Sequence, residues 1–142
     1  MASFNKFNQF VQDLAEKVHN LSSDQCEVYL SNATPDAAAD LVKADLAEIT
    51  NQNGYTAPVD TQNTGAEASG TYTLTGTKVV ITASGTVGPF QYIVLFNTTP
   101  TSPADPLIGW WNYGSAVTLA NGETFSIKFN NSDTTGTILT IA

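Results

Sequence analysis

His19 and Cys26 are the only histidine and the only cysteine of the chain, and they are the first residues to consider for chemistry. A hydrolase needs a nucleophile, a base and an orienting group in one place. His19 follows Val18 near the end of a predicted helix, where a histidine commonly does no more than favour the helix dipole. Cys26 begins a predicted strand and is expected to be a small buried apolar residue. With one residue of each type, the sequence predicts no catalytic site, no transition-metal site and no cofactor.

Calcium is harder to exclude, because aspartate and asparagine oxygens are its usual ligands. Two segments, residues 60–65 (DTQNTG) and 130–133 (NNSD), have a suitable composition but lack the alternating acids and the closing glutamate of an EF-hand loop. Both are better explained as turns. The acids of the C-terminal half, Asp105, Glu123 and Asp133, all stand beside turn residues, which is a weak basis for a paired-carboxylate glycosidase. We therefore expect no metal and no enzymatic activity.

The most distinctive local group is aromatic and consists of Trp110, Trp111 and Tyr113. Neighbouring residues of a strand point to opposite faces, so one tryptophan can belong to the core while the other faces outward. An outward tryptophan could anchor a protein interface, stack on a sugar ring, or pack under a loop of its own chain. All three alternatives stay open at the level of sequence, and we take the group as a candidate for protein interaction.

The composition limits which partners the chain can have. Thirteen acids stand against five lysines, there is no arginine, and the formal net charge is -8. Phosphate backbones are normally bound by clustered lysine and arginine, so no nucleic-acid partner is expected. The charged fraction is 13%, about half of the usual share, and the surface must be built from threonine, asparagine, serine and glycine. Such residues favour strands and turns over long solvated helices.

Residues 3–21 show the spacing of an amphipathic helix. Their apolar positions recur at intervals of three, four and one residues, which a 3.6-residue period explains and a two-residue period does not. The sequence thus predicts an N-terminal helix within residues 1–24. Its apolar stripe either packs on the chain's own β domain or docks on another subunit, and its first four members are named as protein-interaction candidates. The apolar residues are Phe4, Phe7, Phe10, Val11, Leu14, Val18 and Leu21.

The remainder, residues 25–142, is predicted to be one antiparallel β domain. Residues 27–31 form a short strand candidate, residues 37–49 a short helix, and residues 51–70 a long loop with one short strand. Alternating apolar residues then mark a succession of strands, and residues 90–96, apolar on both faces, are expected to be central. Asn121 and Gly122 give a strong hairpin signal. The pattern predicts a mainly β fold, an antiparallel β-sandwich or jelly-roll-like domain with an N-terminal amphipathic α-helix.

The first ten residues, MASFNKFNQF, hold no long apolar run and no small-residue cleavage site, so they do not resemble a secretory signal. No window approaches the roughly 18 apolar residues of a membrane span, and no membrane partner is expected. A single cysteine allows no disulfide within the chain, which fits folding in a reducing compartment.

Several segments resemble small virion proteins of tailed bacteriophages, and among these the head decoration, or cement, proteins. The resemblance extends over nearly the whole length. The segments are ASFNKFNQFVQDLAEKVHNL, LSNATP, NQNGYTA, the long stretch VGPFQYIVLFNTTPTSPADPLIGWWNYGSAVTLANGETFSIKFN and the final ILTIA.

What the resemblance implies is a β-fold protein bound outside an assembled capsid shell, often as trimers at three-fold and quasi-three-fold positions. The expected partner is the major capsid protein, the expected oligomer is a homotrimer, and the expected location is the capsid exterior of the virion after synthesis in the host cytoplasm. The expected function is to decorate and stabilise the shell through protein-protein contacts. The alternative, motivated by the tryptophan pair, is a carbohydrate-binding or adhesin module of a phage tail or fibre.

Overall fold

A computed structural model describes residues 2–142, and within this range the chain is mainly β, with 48% of residues in strands and 10% in helices. The predicted mainly β, antiparallel chain with a helix near its N-terminus is confirmed. Two short 3-10 segments cover Lys43–Asp45 and Phe129–Asn131. The other elements are β1 Phe4–Lys6, α1 Asn8–Ala15, β2 Cys26–Ser31, β3 Val59–Asp60, β4 Thr64–Ala68, β5 Thr71–Thr77, β6 Val79–Thr82, β7 Val87–Asn97, β8 Leu107–Leu119, β9 Thr124–Ile127 and β10 Thr135–Ile141.

The prediction of one helix over residues 3–21 is wrong at its beginning. Residues 4–6 form strand β1, which pairs with β8 in the register Phe4↔Trp111. Phe4 packs against the larger of two apolar clusters, whereas Phe7 is fully buried in the smaller one. A three-residue interval therefore places the two rings on opposite sides of the main sheet, as expected for strand geometry. The apolar spacing was compatible with a helix but arises here from a strand followed by a shorter helix.

The helix also ends earlier than predicted, at Ala15. Lys17 has a left-handed backbone with φ of 66°. The Lys17 N–H donates to the carbonyl of Leu14 at 3.4 Å, and the Val18 N–H donates to the carbonyl of Asp13 at 2.8 Å. These two bonds are the Schellman pattern that stops a helix. Residues 16–24 consequently run as turns rather than as further helix.

Five strands form the main sheet, in the order β1-β8-β7-β2-β3. The predicted central strand, residues 90–96, lies within β7 in the middle of this sheet, and both of its faces are covered, as its composition indicated. Ile93 and Leu95 enter the larger apolar cluster, and Val94 and Phe96 enter the smaller one. The segment between β2 and β3 contributes Leu46 to the smaller cluster and so covers this second face.

Two smaller sheets, β10-β5-β4 and β6-β9, complete the fold. β5 pairs with β10, and β6 pairs with β9. β6 follows β5 after a single residue, and β10 follows β9 after the second 3-10 segment, so the chain passes from one pair directly into the other in both directions. Val79 and Ile81 of β6 are buried and alternate with exposed residues. The larger cluster joins side chains from all three sheets, among them Leu74, Ile127 and Leu30.

Asn121 and Gly122 form a turn but not the predicted hairpin. Gly122 has the positive φ of 86° that this turn requires. The strands on either side do not pair with each other, because β8 pairs with β7 and β9 pairs with β6. The Gly122 N–H donates to the carbonyl of Ala83 at 2.7 Å, at the end of β6. The turn thus carries the chain from the main sheet to the two-stranded sheet.

The predicted helix over residues 37–49 is absent from the described chain, apart from the 3-10 segment Lys43–Asp45. In this region, aspartate side chains accept hydrogen bonds from backbone N–H groups. Asp36 Oδ1 accepts from Ala38 and Ala39, and Asp45 Oδ2 accepts from Leu41. Such local bonds compete with helix formation. In the predicted loop 51–70, the chain forms two strands, β3 and β4, rather than one.

Candidate functional site

An apolar groove of about 720 Å³ lies between α1 and the last strand, β10. Phe10, Val11 and Leu14 of α1 form one wall with Trp111 of β8, and the consecutive residues 137–142 form the other wall. We call this hollow the α1–β10 groove. Its size falls within the range of ligand sites in proteins, about 300–1,000 Å³. It is the first candidate for a functional site, because it combines apolar walls with an open strand edge.

Aromatic stacking fixes the end of the groove where β1 meets β8. The Trp111 ring packs against Phe4, at a centroid distance of 5.2 Å, and against Phe129, at 5.7 Å. Phe4 can lie this close to the sheet because position 109 is glycine. A Cβ at Gly109 would be 2.3 Å from Phe4 Cζ, which is too close for any real contact. The strand pair β1–β8 therefore sets the position of two aromatic side chains that line the groove.

A second hollow of about 470 Å³ shares Leu14 and Ile141 with the groove and is bordered by Lys17 and His19. Lys6 lines the groove itself. Among the described residues that line either hollow, none is an aspartate or a glutamate. In a chain with a net charge of -8, the side chains that line these two hollows thus include two lysines and no acid.

His19 belongs to a buried polar group rather than to an exposed helix end. It is 5% exposed, and its ring packs on Phe10 at a centroid distance of 5.2 Å. Asn97 Nδ2 donates to His19 Nδ1 at 3.0 Å and to Asp24 Oδ2 at 2.7 Å. Accepting at Nδ1 makes His19 a neutral imidazole with its proton on Nε2. Burial lowers the pKa of His19, and the carboxylates of Asp13 and Asp24 oppose this effect.

Two polar atoms of this region have no hydrogen-bond partner in the described chain, Asp13 Oδ2 and His19 Nε2. Asp13 is 3% exposed, and its other oxygen, Oδ1, accepts from Gln9 Nε2 at 2.9 Å. No serine or cysteine donates to His19, so a nucleophile activated by this imidazole is not assembled in the described residues. The group is suited to fix the turns after α1 to the end of β7.

Cys26 is fully buried at the start of β2, and burial raises the pKa of its thiol to about 12. A thiol with such a pKa is protonated at neutral pH and is a poor nucleophile. The predicted role of Cys26 as a small buried residue is confirmed by its place in the larger apolar cluster.

The two segments with a calcium-like composition connect elements of the fold: residues 60–65 lead from β3 into β4, and residues 130–133 lie at the end of the second 3-10 segment. Asp60 Oδ1 accepts from the Gln62 N–H at 2.8 Å, and Asp133 Oδ1 pairs with Lys128 at 2.6 Å. In residues 2–142, no cluster of three or more histidine, cysteine, aspartate or glutamate side chains is arranged to hold a metal ion. Both acids are therefore engaged in local contacts within their own segments.

The predicted protein-interaction residues divide into three kinds. Phe7 and Phe10 are buried in the chain's own core. Phe4, Trp110 and Trp111 are half-buried. The two tryptophans lie on opposite faces of β8, as predicted, but each is packed against a phenylalanine, Phe7 for Trp110 and Phe4 for Trp111. Only Val11 and Tyr113 are largely exposed, at 53% and 55%.

The structure brings Val11, Phe10, Phe4 and Trp111 together in the α1–β10 groove and leaves Trp110 and Tyr113 outside it. Sequence reasoning missed the opposite wall, which is formed by residues 137–142. The only sequence signal for this wall is the apolar ending ILTIA, which is typical of a strand but gives no sign that its edge stays open. Lys6 was missed as well, because a single lysine in a helical pattern is ordinarily a solvated residue.

No protein-family model, no characterised protein and no solved structure matches this chain. No helix within residues 2–142 is both long enough and apolar enough to span a membrane.

Proposed function

We propose that this chain is a structural protein of a tailed-phage virion, which decorates and stabilises the capsid shell through protein-protein contacts. The observation that carries the proposal is the α1–β10 groove, an apolar hollow of about 720 Å³ bordered by an open strand edge. Such a surface suits an extended protein segment better than a small polar substrate. The sequence resemblance to head decoration proteins supplies the class of partner, the major capsid protein.

Within this proposal, the architecture is a β-sandwich with a short N-terminal helix. The larger apolar cluster supports it, because it collects side chains from the main sheet and from both smaller sheets. The proposed location is the capsid exterior, and the proposed oligomer is a homotrimer. Strands β1, β3 and β4 each pair on one side only in the described chain, and open edges of this kind favour contacts between subunits.

The proposed mechanism is mass action. A protein that binds only the assembled shell lowers the free energy of that shell relative to disrupted states by RT ln(1 + [L]/Kd). Because many copies bind at symmetry-related positions, weak contacts suffice for a large total effect.

The test is to add the purified protein to expanded shells that lack it and to measure co-sedimentation together with the temperature of shell disruption. We expect saturable binding and a higher disruption temperature. Identical disruption temperatures with and without the protein would refute the proposal. Analytical ultracentrifugation of the free protein tests the trimer separately.

A carbohydrate-binding role for the tryptophan pair makes the opposite prediction. Glycan binding that is lost in Trp111→Ala, together with failure to sediment with shells, would establish that role instead. Trp111 is half-buried and packs at an angle against the rings of Phe4 and Phe129, so protein covers part of its indole. This packing disfavours the open aromatic platform on which a sugar stacks.

A further inference from the structure

The outer edge of β10 determines which kind of ligand the α1–β10 groove can take. β10 pairs with β5 on one side only, and residues 137–142 take part in no backbone hydrogen bond outside that pairing in the described chain. Six consecutive residues border the groove, so the strand presents its backbone N–H and C=O groups there and not one row of side chains. An open edge of this kind is a template for another extended chain.

The wall that faces this edge is apolar and accessible. Val11 is 53% exposed, and Leu14 and Trp111 are half-buried at the same groove. A strand added to β10 would lie in the groove beside these three residues, with its side chains alternating between the two faces of the sheet. An apolar residue at those alternate positions would bury surface on both partners.

The regular part of the edge is short. The pairing of β10 with β5 has a bulge between Thr137 and Leu139, which interrupts the ladder at Ile138. The regular stretch is therefore residues 139–141, about 10 Å long. Bulges of this kind protect strand edges from unselective pairing. A short segment with matching side chains is favoured over a long sheet-to-sheet contact.

The charges around the groove indicate what should flank the apolar part of the segment. Lys6 lines the groove and Lys17 lines the hollow that continues it, and neither forms an ion pair in the described chain. By contrast, Lys43 and Lys128 are paired with acids. Carboxylates on the bound segment could form ion pairs with these two ammonium groups, because no acidic side chain in the lining competes for them.

Charge also makes a second copy of this chain a poor occupant of the groove. Each copy has a net charge of -8, which at low salt opposes insertion of a second copy into this groove, whereas the proposed trimer uses other strand edges. A short segment of another protein avoids most of this repulsion, because it meets the two lysine side chains without bringing thirteen further acids with it.

We propose that the α1–β10 groove binds an extended segment of another protein, which adds as a strand to residues 139–141, with alternating apolar residues facing Val11 and an acidic residue at each end. The inference rests on the proposed function for the source of the segment, a protein of the capsid shell. The mode of binding can be tested without any shell.

The probe is a synthetic peptide of about eight residues, capped at both ends, with valines alternating with threonines between two terminal glutamates. Titration calorimetry measures its Kd for the full chain. We expect saturable binding, a Kd weakened at least about tenfold by Val11→Asp, and an unchanged Kd for Val80→Asp. Val80 is the matched control, because it is 50% exposed and lies on β6, away from the groove.

Charge and backbone pairing are tested with the same peptide. Lys6→Glu combined with Lys17→Glu should weaken binding about tenfold at low salt, whereas Lys78→Glu outside the groove should have little effect. Amide hydrogen exchange, followed by NMR, should slow at outer-edge amides within residues 139–141 when the peptide binds. A peptide of the same length with proline in place of each threonine should not bind, since proline cannot donate to the ladder.

Several results would overturn this inference. They are equal weakening by Val11→Asp and Val80→Asp, unchanged exchange in residues 139–141, or self-association of the free chain that Val11→Asp abolishes. The last result would assign the groove to a second copy. Shell binding that persists in Val11→Asp refutes the groove as docking site and leaves the proposed function intact. Peptide binding without any shell binding refutes the proposed function and leaves the groove as a strand receptor.

Discussion

Tyr55 and Leu30 are joined by a buried hydrogen bond in which the Leu30 N–H donates to Tyr55 Oη at 2.8 Å. The same hydroxyl donates to Glu48 Oε1 at 3.2 Å, and Glu48 in turn pairs with Lys43. Burial raises the pKa of Tyr55, so the hydroxyl keeps its proton at any ordinary pH. This one side chain therefore fastens the segment between β2 and β3 to the main sheet.

Replacing Tyr55 by phenylalanine should lower the free energy of unfolding by about 1–3 kcal/mol, because it leaves a buried backbone N–H without an acceptor. Urea unfolding followed by tryptophan fluorescence measures the change. Tyr113→Phe is the control, since this side chain is 55% exposed, and its effect should stay within about 0.5 kcal/mol. Equal effects of the two substitutions would contradict the assignment of Tyr55.

Phe7 and Val11 should differ strongly, although sequence periodicity placed both on one stripe. Phe7→Ala empties a fully buried position and should cost about 3–5 kcal/mol of stability, whereas Val11→Ala should change it by less than about 0.5 kcal/mol. Thermal or urea unfolding of the two variants measures both changes in the free energy of unfolding. A large cost at Val11 would mean that the groove is closed within the free chain.

The stability of the protein should fall below about pH 6.5 because of His19. Burial lowers its pKa from the ordinary value of 6.5, so between that value and the lower folded pKa the unfolded chain binds more protons. The free energy of unfolding then decreases as the pH falls, with a slope of at most about 1.4 kcal/mol per pH unit from this group. Above the pKa of His19 in the unfolded chain, the contribution of His19 to stability is fully retained.

His19→Gln provides the comparison, because glutamine keeps a side-chain acceptor for Asn97 but does not titrate. The difference between the two stability curves should be constant above about pH 7 and should shrink as the pH falls below 6.5. Using the difference removes contributions that both proteins share, such as that of Glu27, whose pKa is raised by burial. Parallel curves from pH 7 to 5 would show that His19 does not contribute.

Cys26 should resist modification while the chain is folded. With complete burial and a pKa of about 12, its thiol should react with iodoacetamide at pH 8 at least about 100-fold more slowly than in the urea-unfolded chain. Mass spectrometry of quenched samples measures both rates. A native rate close to the unfolded one would place Cys26 at an accessible surface.

Features that depend on local pattern could be predicted from the sequence. β7 has apolar residues on both faces, and this alone indicated a central strand. The opposite faces of Trp110 and Trp111 follow from the pleat of any strand. In both cases the physical cause lies within a few neighbouring residues, which a sequence displays directly.

Features that depend on distant partners could not be predicted. The spacing of Phe4, Phe7 and Phe10 fits a helix, but pairing with β8 draws Phe4 into a strand. The predicted turn at Asn121 is present, but the strands on either side of it, β8 and β9, pair with β7 and β6 and not with each other. The groove itself joins Val11, Trp111 and Ile141, and no local pattern indicates that these residues meet.

The pairing of β1 with β8 also has a consequence for how the chain must be made. Asn5 donates from its side chain to the carbonyl of Trp110, a residue 105 positions later. During synthesis, β1 therefore cannot pair until most of the chain has been made and β8 has left the ribosome. Until then, β1 has no strand to pair with, although β2 and β7, which supply most of the residues around Phe7, are already made. Ribosome-bound chains that end before β8 should leave β1 open to proteases, and longer chains should protect it.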